Sequence, residues 1–303
     1  MDDSVFDLAI IGSERVAEHI DAISKEPRFR LTSPNADEAS TYCESLASHG
    51  SLSRAIIENE DDVDGIVVCT PPEEREYWAL HCSRAKKAVL IDGPLVSFSN
   101  SGIKELRKID NSRTRISMAS NMLFSDFTKE IIAVRDKVGR CVYVDIHMRL
   151  SKERLAETRS GVSDLGATEL LVLMERFIGP LDSVYVRSRS FLTNRPREDS
   201  LWGMLRFVNG TEAIIQVVAL DSKEGISAVL HGNLDTVEIS AQLSSQTEKI
   251  RRRQYRNLAN VMSGHCKPEC DIRDIQRCLF LGTWLEQSAR QDSELYSSDI
   301  KME

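Results

Sequence analysis

The chain has 303 residues, 41% hydrophobic and 28% charged, with a formal net charge of −8. That length accommodates two domains with cores of their own; the acidic balance excludes a general binder of nucleic-acid backbones, which needs clustered Lys and Arg, and no apolar run approaches the roughly 18 residues that span a bilayer. Seven cysteines and the acidic start Met1-Asp2-Asp3-Ser4 fit a reducing cytoplasm without a secretory signal.

In chain order, Phe6–Ile11 is a short apolar run ending at Gly12. A helix with Val16, Ile20 and Ile23 on its apolar face follows and closes at Pro27. Phe29–Thr32 reads as a second strand, and residues 36–47 and 53–60 as helices. Gly65–Cys69 is a buried strand ending in Thr70-Pro71-Pro72, and a helix over 73–85 leads to the strand Ala88–Ile91 before Asp92-Gly93-Pro94. Ile103–Ile109 is helical and Arg115–Ala119 is a fifth strand. Near-continuous apolar strands alternating with helices imply a parallel, doubly wound, Rossmann-like sheet. Such sheets bind ligands beyond the carboxyl ends of the strands, where Gly12, Ser33, Thr70 and Asp92 all fall.

A dinucleotide fingerprint needs Gly for the turn, for close approach of the pyrophosphate and for helix packing. The segment Gly12-Ser13-Glu14-Arg15-Val16-Ala17 keeps the first, has Ala17 at the third and places Glu14 at the second. A carboxylate about 4 Å from a phosphate charge is repelled by on the order of 4 kcal/mol at an effective dielectric of 20, unless Arg15 compensates. No acidic residue ends the second strand to bind ribose hydroxyls. Ser33 stands there and suits a 2′-phosphate better, which slightly favours NADP over NAD. This loop leaves two readings open: a dinucleotide site, or a strand–turn–helix without a ligand.

After Val142 the pattern changes to alternating strands separated by turns, and Asn209-Gly210 marks a tight hairpin. The second half therefore reads as a large, open, antiparallel sheet flanked by helices. The last helix runs from Asp271, a plausible N-cap, to about Arg290. The boundary falls after residue 120, giving domains 1–120 and 121–303.

Several segments in order resemble the Gfo/Idh/MocA family, the glucose–fructose oxidoreductase and inositol dehydrogenase group. Asp62-Val63-Asp64-Gly65-Ile66-Val67-Val68-Cys69-Thr70-Pro71-Pro72 resembles its third-strand segment, and Lys87–Leu95 resembles the segment that ends in Glu-Lys-Pro-Leu. Ser120-Asn121-Met122-Leu123-Phe124, Gly139–Val144, Leu205–Thr211 and Val229–Ile239 resemble, respectively, the opening of the second domain and strands and hairpins of its sheet. The resemblance implies an NAD(P)-binding first domain, with Gly12, Ser13, Arg15, Val16, Ser33, Thr70, Pro71, Pro72, Gly93 and Pro94 around the cofactor. It also implies a second domain that binds a small molecule and pairs with a second copy through its open sheet.

The family's catalytic motifs are altered. The Lys of Glu-Lys-Pro is Gly93. The Asp-x-Gly-x-His segment reads Asp164-Leu165-Gly166-Ala167-Thr168-Glu169, so the His becomes Thr168, or Glu169 in a shifted register. Alcohol dehydrogenation needs a base at the hydroxyl, so the family's usual sugar or inositol oxidation is not expected. Asp164, Thr168, Glu169 and Asp92 are the remaining catalytic candidates; Glu169 also reads as a solvated helix residue and Asp92 as a loop cap. Asn121, His147 and Arg149 are candidates for substrate contact, with His147, Asp145 and Arg149 on one face of a strand. Arg251-Arg252-Arg253 reads as a solvated basic surface. His265-Cys266, Cys270 and Cys278 match no common zinc spacing, so no metal is expected. Two functions follow: a reductase of an easily protonated C=N or conjugated substrate, in which the cofactor carries the hydride, or a non-catalytic ligand sensor or scaffold.

Overall fold

The computed structural model describes residues 4–12, 14–33, 63–93, 98–110, 115–156, 160–192, 197–221 and 223–299. Ser13, Pro94 and the helices expected over 36–47 and 53–60 lie outside the described residues. Helices in chain order are α1 (Val16–Ser24), α2 (Pro72–Arg84), α3 (Asn100–Ile109), α4 (Asp126–Ala133), α5 (Arg135–Val138) and α6 (Lys152–Ala156); a π-helical turn, Ser163–Ala167, then runs into α7 (Thr168–Phe177), and α8 (Thr247–Met262) and α9 (Ile272–Gln291) follow. The chain divides into two compact units: Met1–Asn121 with Glu248–Gln276, and Met122–Thr247 with Arg277–Glu303.

In unit 1, β1 (Phe6–Gly12), β2 (Phe29–Ser33), β3 (Gly65–Cys69), β4 (Ala88–Asp92) and β5 (Ile116–Ala119) form a parallel sheet in the order β2-β1-β3-β4-β5. Every residue of β3 and β4 is buried, which is why their sequences are unbroken apolar runs. The order reverses between β1 and β3, the switch point at which such sheets open a crevice for ligands. Pro71 and Pro72 start α2, where a missing N–H costs nothing, and Ser99 caps α3 by accepting the Gly102 N–H.

The expected division at residue 120 omits one element. Residues 248–276 return to unit 1, and Tyr255, Leu258 and Ala259 of α8 are buried in one core with Leu8, Ile10, Val67 and Leu90. Ile250, Tyr255, Leu258 and Val261 recur at helical spacing along α8 and are all buried, so burial of that stripe gives the return segment its place.

In unit 2, β6 (Cys141–Ser151), β7 (Leu181–Arg189), β8 (Ser200–Phe207), β9 (Glu212–Asp221), β10 (Gly225–Gly232), β11 (Thr236–Gln242) and β12 (Leu295–Tyr296) form a sheet in the order β11-β10-β6-β9-β8-β7-β12. It is mixed: β6 and β9 are parallel, and the remaining neighbours are antiparallel. Alternation along β6 buries Val144, Ile146, Met148 and Leu150 and turns His147 and Arg149 outward. The Asn209-Gly210 hairpin joins β8 to β9, with Gly210 at φ 85. Asp271 caps α9, accepting the Arg273 N–H at 2.7 Å.

Candidate functional site

The strand ends of unit 1 carry a connected set of charges. Gly12 turns the chain at φ +118, and a Cβ there would lie 2.2 Å from the carbonyl carbon and oxygen of Cys69. The turn is folded tightly onto the end of β3, and the Glu14 N–H donates to the Cys69 carbonyl at 2.9 Å. Arg15 is the N-cap of α1 in the left-handed region (φ 51, ψ 26) and makes no cap bond with its side chain. Its guanidinium instead reaches Asp92 Oδ2 at 2.5 Å and the Gly93 carbonyl. The arm thus runs from the end of β1, past β3, to the end of β4, directly over the switch point.

The repulsion expected from Glu14 is met by a residue that sequence reading missed. Arg75 of α2 is fully buried; its Nη2 lies 2.8 Å from Glu14 Oε2 and also donates to the Thr70 carbonyl at 2.7 Å. A cation in a helix's first turns opposes the helix dipole. In sequence, that misfit is the one sign that a carboxylate stands opposite.

Asp92 is the centre of the set. Besides Arg15, Arg251 Nη1 lies 2.9 Å from Asp92 Oδ1, with both side chains at most 2% exposed. Arg251 also meets Glu18 Oε2 at 3.3 Å and Gln254 Oε1 at 3.1 Å, and Gln254 donates to the Ser120 carbonyl at 3.2 Å. His19 Nε2 is 3.6 Å from Asp92 Oδ2, and its Nδ1 pairs with Tyr255 Oη at 2.7 Å. Burial pushes the Asp92 carboxyl up, but Arg15 and Arg251 outweigh it and hold the group well below the usual carboxylate range. Burial, with Arg251 beside it, lowers His19 below 6.5.

These facts correct two expectations. Asp92 is a buried anchor that Arg15 and Arg251 hold toward its ionised form, which fits a structural role better than that of an acid or base. Arg251 is no part of a solvated basic surface: it is 2% exposed, while its neighbour Arg252 is exposed. The signal was legible, since Arg251 precedes Tyr255 by four residues and Leu258 by seven and so shares the buried face of α8.

The other cofactor candidates divide. Val16 packs its side chain in the core at the first position of α1. Pro71 caps α2 and Pro72 opens it, and Ser33 ends β2 in register with Ala9. Thr70 is 2% exposed, and among the described residues its Oγ1 has no hydrogen-bond partner. A buried hydroxyl without a partner costs roughly 1–3 kcal/mol. The Gly12 turn, the neutralised Glu14 and the orphaned Thr70 hydroxyl at the switch point fit a dinucleotide.

In unit 2 the altered catalytic segment forms the π-helical turn Ser163–Ala167, a geometry frequent at functional sites. Glu198 is built into it. Its Oε1 accepts the Ser163 N–H at 3.1 Å, its carbonyl accepts the Val162 N–H at 3.1 Å, and a Cβ on Gly161 would lie 2.2 Å from Oε1. Burial, and then the charge of Glu198, push the Asp164 carboxyl up to about 6. Thr168 is 2% exposed, with its methyl toward Gly282. Glu169 is not a solvated helix residue; its Oε2 accepts the Met122 N–H at 3.1 Å. Gly166 packs against Met148, on the buried face of β6. His147 and Arg149 lie on the opposite, exposed face, where His147 pairs with Gln216 at 2.7 Å and Asp145 at 3.0 Å. They are not gathered with Asp164. Asn121, half-buried, ends the first segment of unit 1.

Among the described residues no cluster of His, Cys, Asp and Glu could hold a metal ion, and no helix is long and apolar enough to cross a membrane. No protein-family model matches the chain, and no curated protein matches it by sequence. Solved structures do match it over their whole length. The myo-inositol 2-dehydrogenase of Lactobacillus plantarum is 13% identical with a TM-score of 0.81, covering 97% of this chain and 99% of its own. The WlbA dehydrogenase of Bordetella pertussis, in complex with NADH and UDP-GlcNAcA, is 19% identical with a TM-score of 0.79 and full coverage of both chains. GenD2 from gentamicin A biosynthesis, in complex with NAD, is 15% identical with a TM-score of 0.80, covering 97% of this chain and 96% of its own. The chain has the fold of these dehydrogenases, the Gfo/Idh/MocA fold that its motif order resembles.

Proposed function

We propose that this protein is a nicotinamide-dinucleotide-dependent reductase of a C=N or conjugated substrate, with the dinucleotide held by unit 1 and Asp164 as the acid. The observation that carries the reading is the half-buried Asp164 carboxyl in the π-turn, which Glu198 holds through the Ser163 N–H; burial, and then the charge of Glu198, push that carboxyl up to about 6. At that value about a tenth of the carboxyls still carry a proton at pH 7, and the group can both donate and recover it. Reduction of C=N adds a proton at nitrogen, and a carboxylic acid supplies it without the missing Lys and His. A bound reduced nicotinamide supplies the hydride. Gly12 provides the tight turn at the switch point and Thr70 a hydroxyl for the dinucleotide, and the NADH and NAD complexes of neighbours with this fold support a nicotinamide. Ser33 in place of an acidic residue favours NADP. After giving up its proton Asp164 is a carboxylate, which the nearby Arg197 stabilises until solvent restores the proton.

The test is turnover of an imine, ketone and polyol panel with NADPH and NADH, followed by nicotinamide absorbance. The reading expects imine reduction with NADPH preferred; oxidation of polyols alone would overturn it. A second reading, a non-catalytic sensor, is favoured by one observation: Arg15 already satisfies Asp92 and the Gly93 carbonyl across the switch point. Saturable dinucleotide binding with no turnover on the panel would select it. Self-pairing through the open sheet is part of either reading, supported by Met204 and Ile214 exposed on that face.

A further inference from the structure

Glu198 has no counterpart in the motifs that point to function, yet three contacts fit it to the turn that carries Asp164. Its side chain bonds the Ser163 N–H, its main chain bonds the Val162 N–H, and its carboxylate fills the space where any side chain at position 161 would begin. Its neighbour Asp199 is fully buried and accepts the N–H groups of Phe191 at 2.7 Å and Leu192 at 2.6 Å, while the Ala219 N–H donates to its carbonyl at 2.8 Å. The segment bearing Glu198 is therefore fixed from both sides. A nearby carboxylate disfavours ionisation of a second carboxyl group, and the charge of Glu198 acts on Asp164 in that direction.

We propose that Glu198 is the positioning residue of the acid: its carboxylate, seated in the Cβ space of Gly161 and bonded to the Ser163 N–H, holds the π-turn that carries Asp164. This rests on the reading of Asp164 as proton donor. Among the described residues, the charged groups that bear on Asp164 are Glu198 and Arg197 of the loop before β8 and Glu286 of α9. Arg197 is exposed and acts against the two glutamates, and Glu286 weighs least of the three. Glu198 is thus the one group that both shapes the turn and opposes the charge on Asp164.

The test is a carboxyl-carbon NMR titration of the full chain labelled at the aspartate side chains, with the Asp164 signal assigned by its loss in Asp164→Asn. The wild type is expected to titrate near 6. Glu198→Gln keeps an acceptor for the Ser163 N–H but removes the charge, and should lower the midpoint by roughly half to one unit. Gly161→Ala, which displaces the carboxylate while retaining it, should lower it as well and serves if Glu198→Gln does not fold. A raised wild-type midpoint that neither variant moves overturns the role of Glu198 and leaves the acid standing. A wild-type midpoint in the ordinary aspartate range overturns both.

Discussion

Arg251 and Asp92, 159 residues apart in sequence, form an ion pair at 2.9 Å inside unit 1 with almost no exposure. Arg251 comes from the helix that returns to the first sheet, and Asp92 ends β4. Removing one partner of a buried pair leaves an uncompensated charge and costs about 3–5 kcal/mol. Arg15 remains on Asp92, so Arg251→Met is expected at the lower end, near 3 kcal/mol. Arg252→Met, one residue away and exposed, should stay within about 0.5 kcal/mol. Thermal melts of the two variants side by side check this.

His19 gives the pH dependence a sign. Its folded value is lowered below 6.5, while the unfolded chain titrates at the ordinary value. As pH falls below 6.5 the unfolded chain takes up a proton that the folded chain refuses, so stability is lost in that direction. Asp92, held low, adds a second loss only when pH falls below its ordinary 3.8. Asp164, whose raised value adds stability over the same fall, opposes this loss, so from about pH 8 down to about pH 5 the melting temperature of His19→Gln should rise relative to that of the wild type.

Glu14 and Arg75 make the phosphate end of the crevice testable. Glu14→Gly removes a carboxylate from the approach and from Arg75, 2.8 Å away. Dinucleotide affinity should rise while the ligand-free protein melts lower, and saturating cofactor should close much of the gap. Gly12→Ala should weaken binding instead. Its Cβ would strike the Cys69 carbonyl at 2.2 Å in a φ +118 turn, so both stability, by about 1–3 kcal/mol, and binding should fall. Calorimetric titration with NADPH separates the two variants.

Asp164 trades stability for reactivity. Its folded value is raised to about 6 from 3.8, so its contribution is present below 3.8 and is lost as pH rises through 6. A shift of roughly two units corresponds to about 3 kcal/mol. Asp164→Asn removes the buried charge and should stabilise the protein above pH 6 by up to that amount while abolishing imine reduction. Denaturant melts and turnover assays on one preparation check both halves.

The fold was legible because its signals are local. Unbroken apolar strands, the Gly12 turn, the Asn209-Gly210 hairpin and the Asp271 cap each state their geometry in a few residues. The return of α8 was not, because its buried stripe names no partner until the first sheet exists. The charge network was hidden for the same reason. Arg251 stands among three arginines, and only its phase with Tyr255 and Leu258 marks it as internal. Glu198 carries no motif; it acts through a contact with Gly161 and Ser163 that forms only in the folded unit. His147 was misplaced on a correct principle: alternation put it on one face of β6 with Arg149, and the Asp164 turn packs on the other.

The central claim, that unit 1 holds a nicotinamide dinucleotide, is tested most directly by melting the protein against increasing NADPH and NADH. A ligand that binds only the folded state stabilises it by about 2.7 kcal/mol at 100 times its Kd. The account predicts saturable stabilisation, stronger with NADPH. A melting temperature unmoved at millimolar concentration of either cofactor would contradict it.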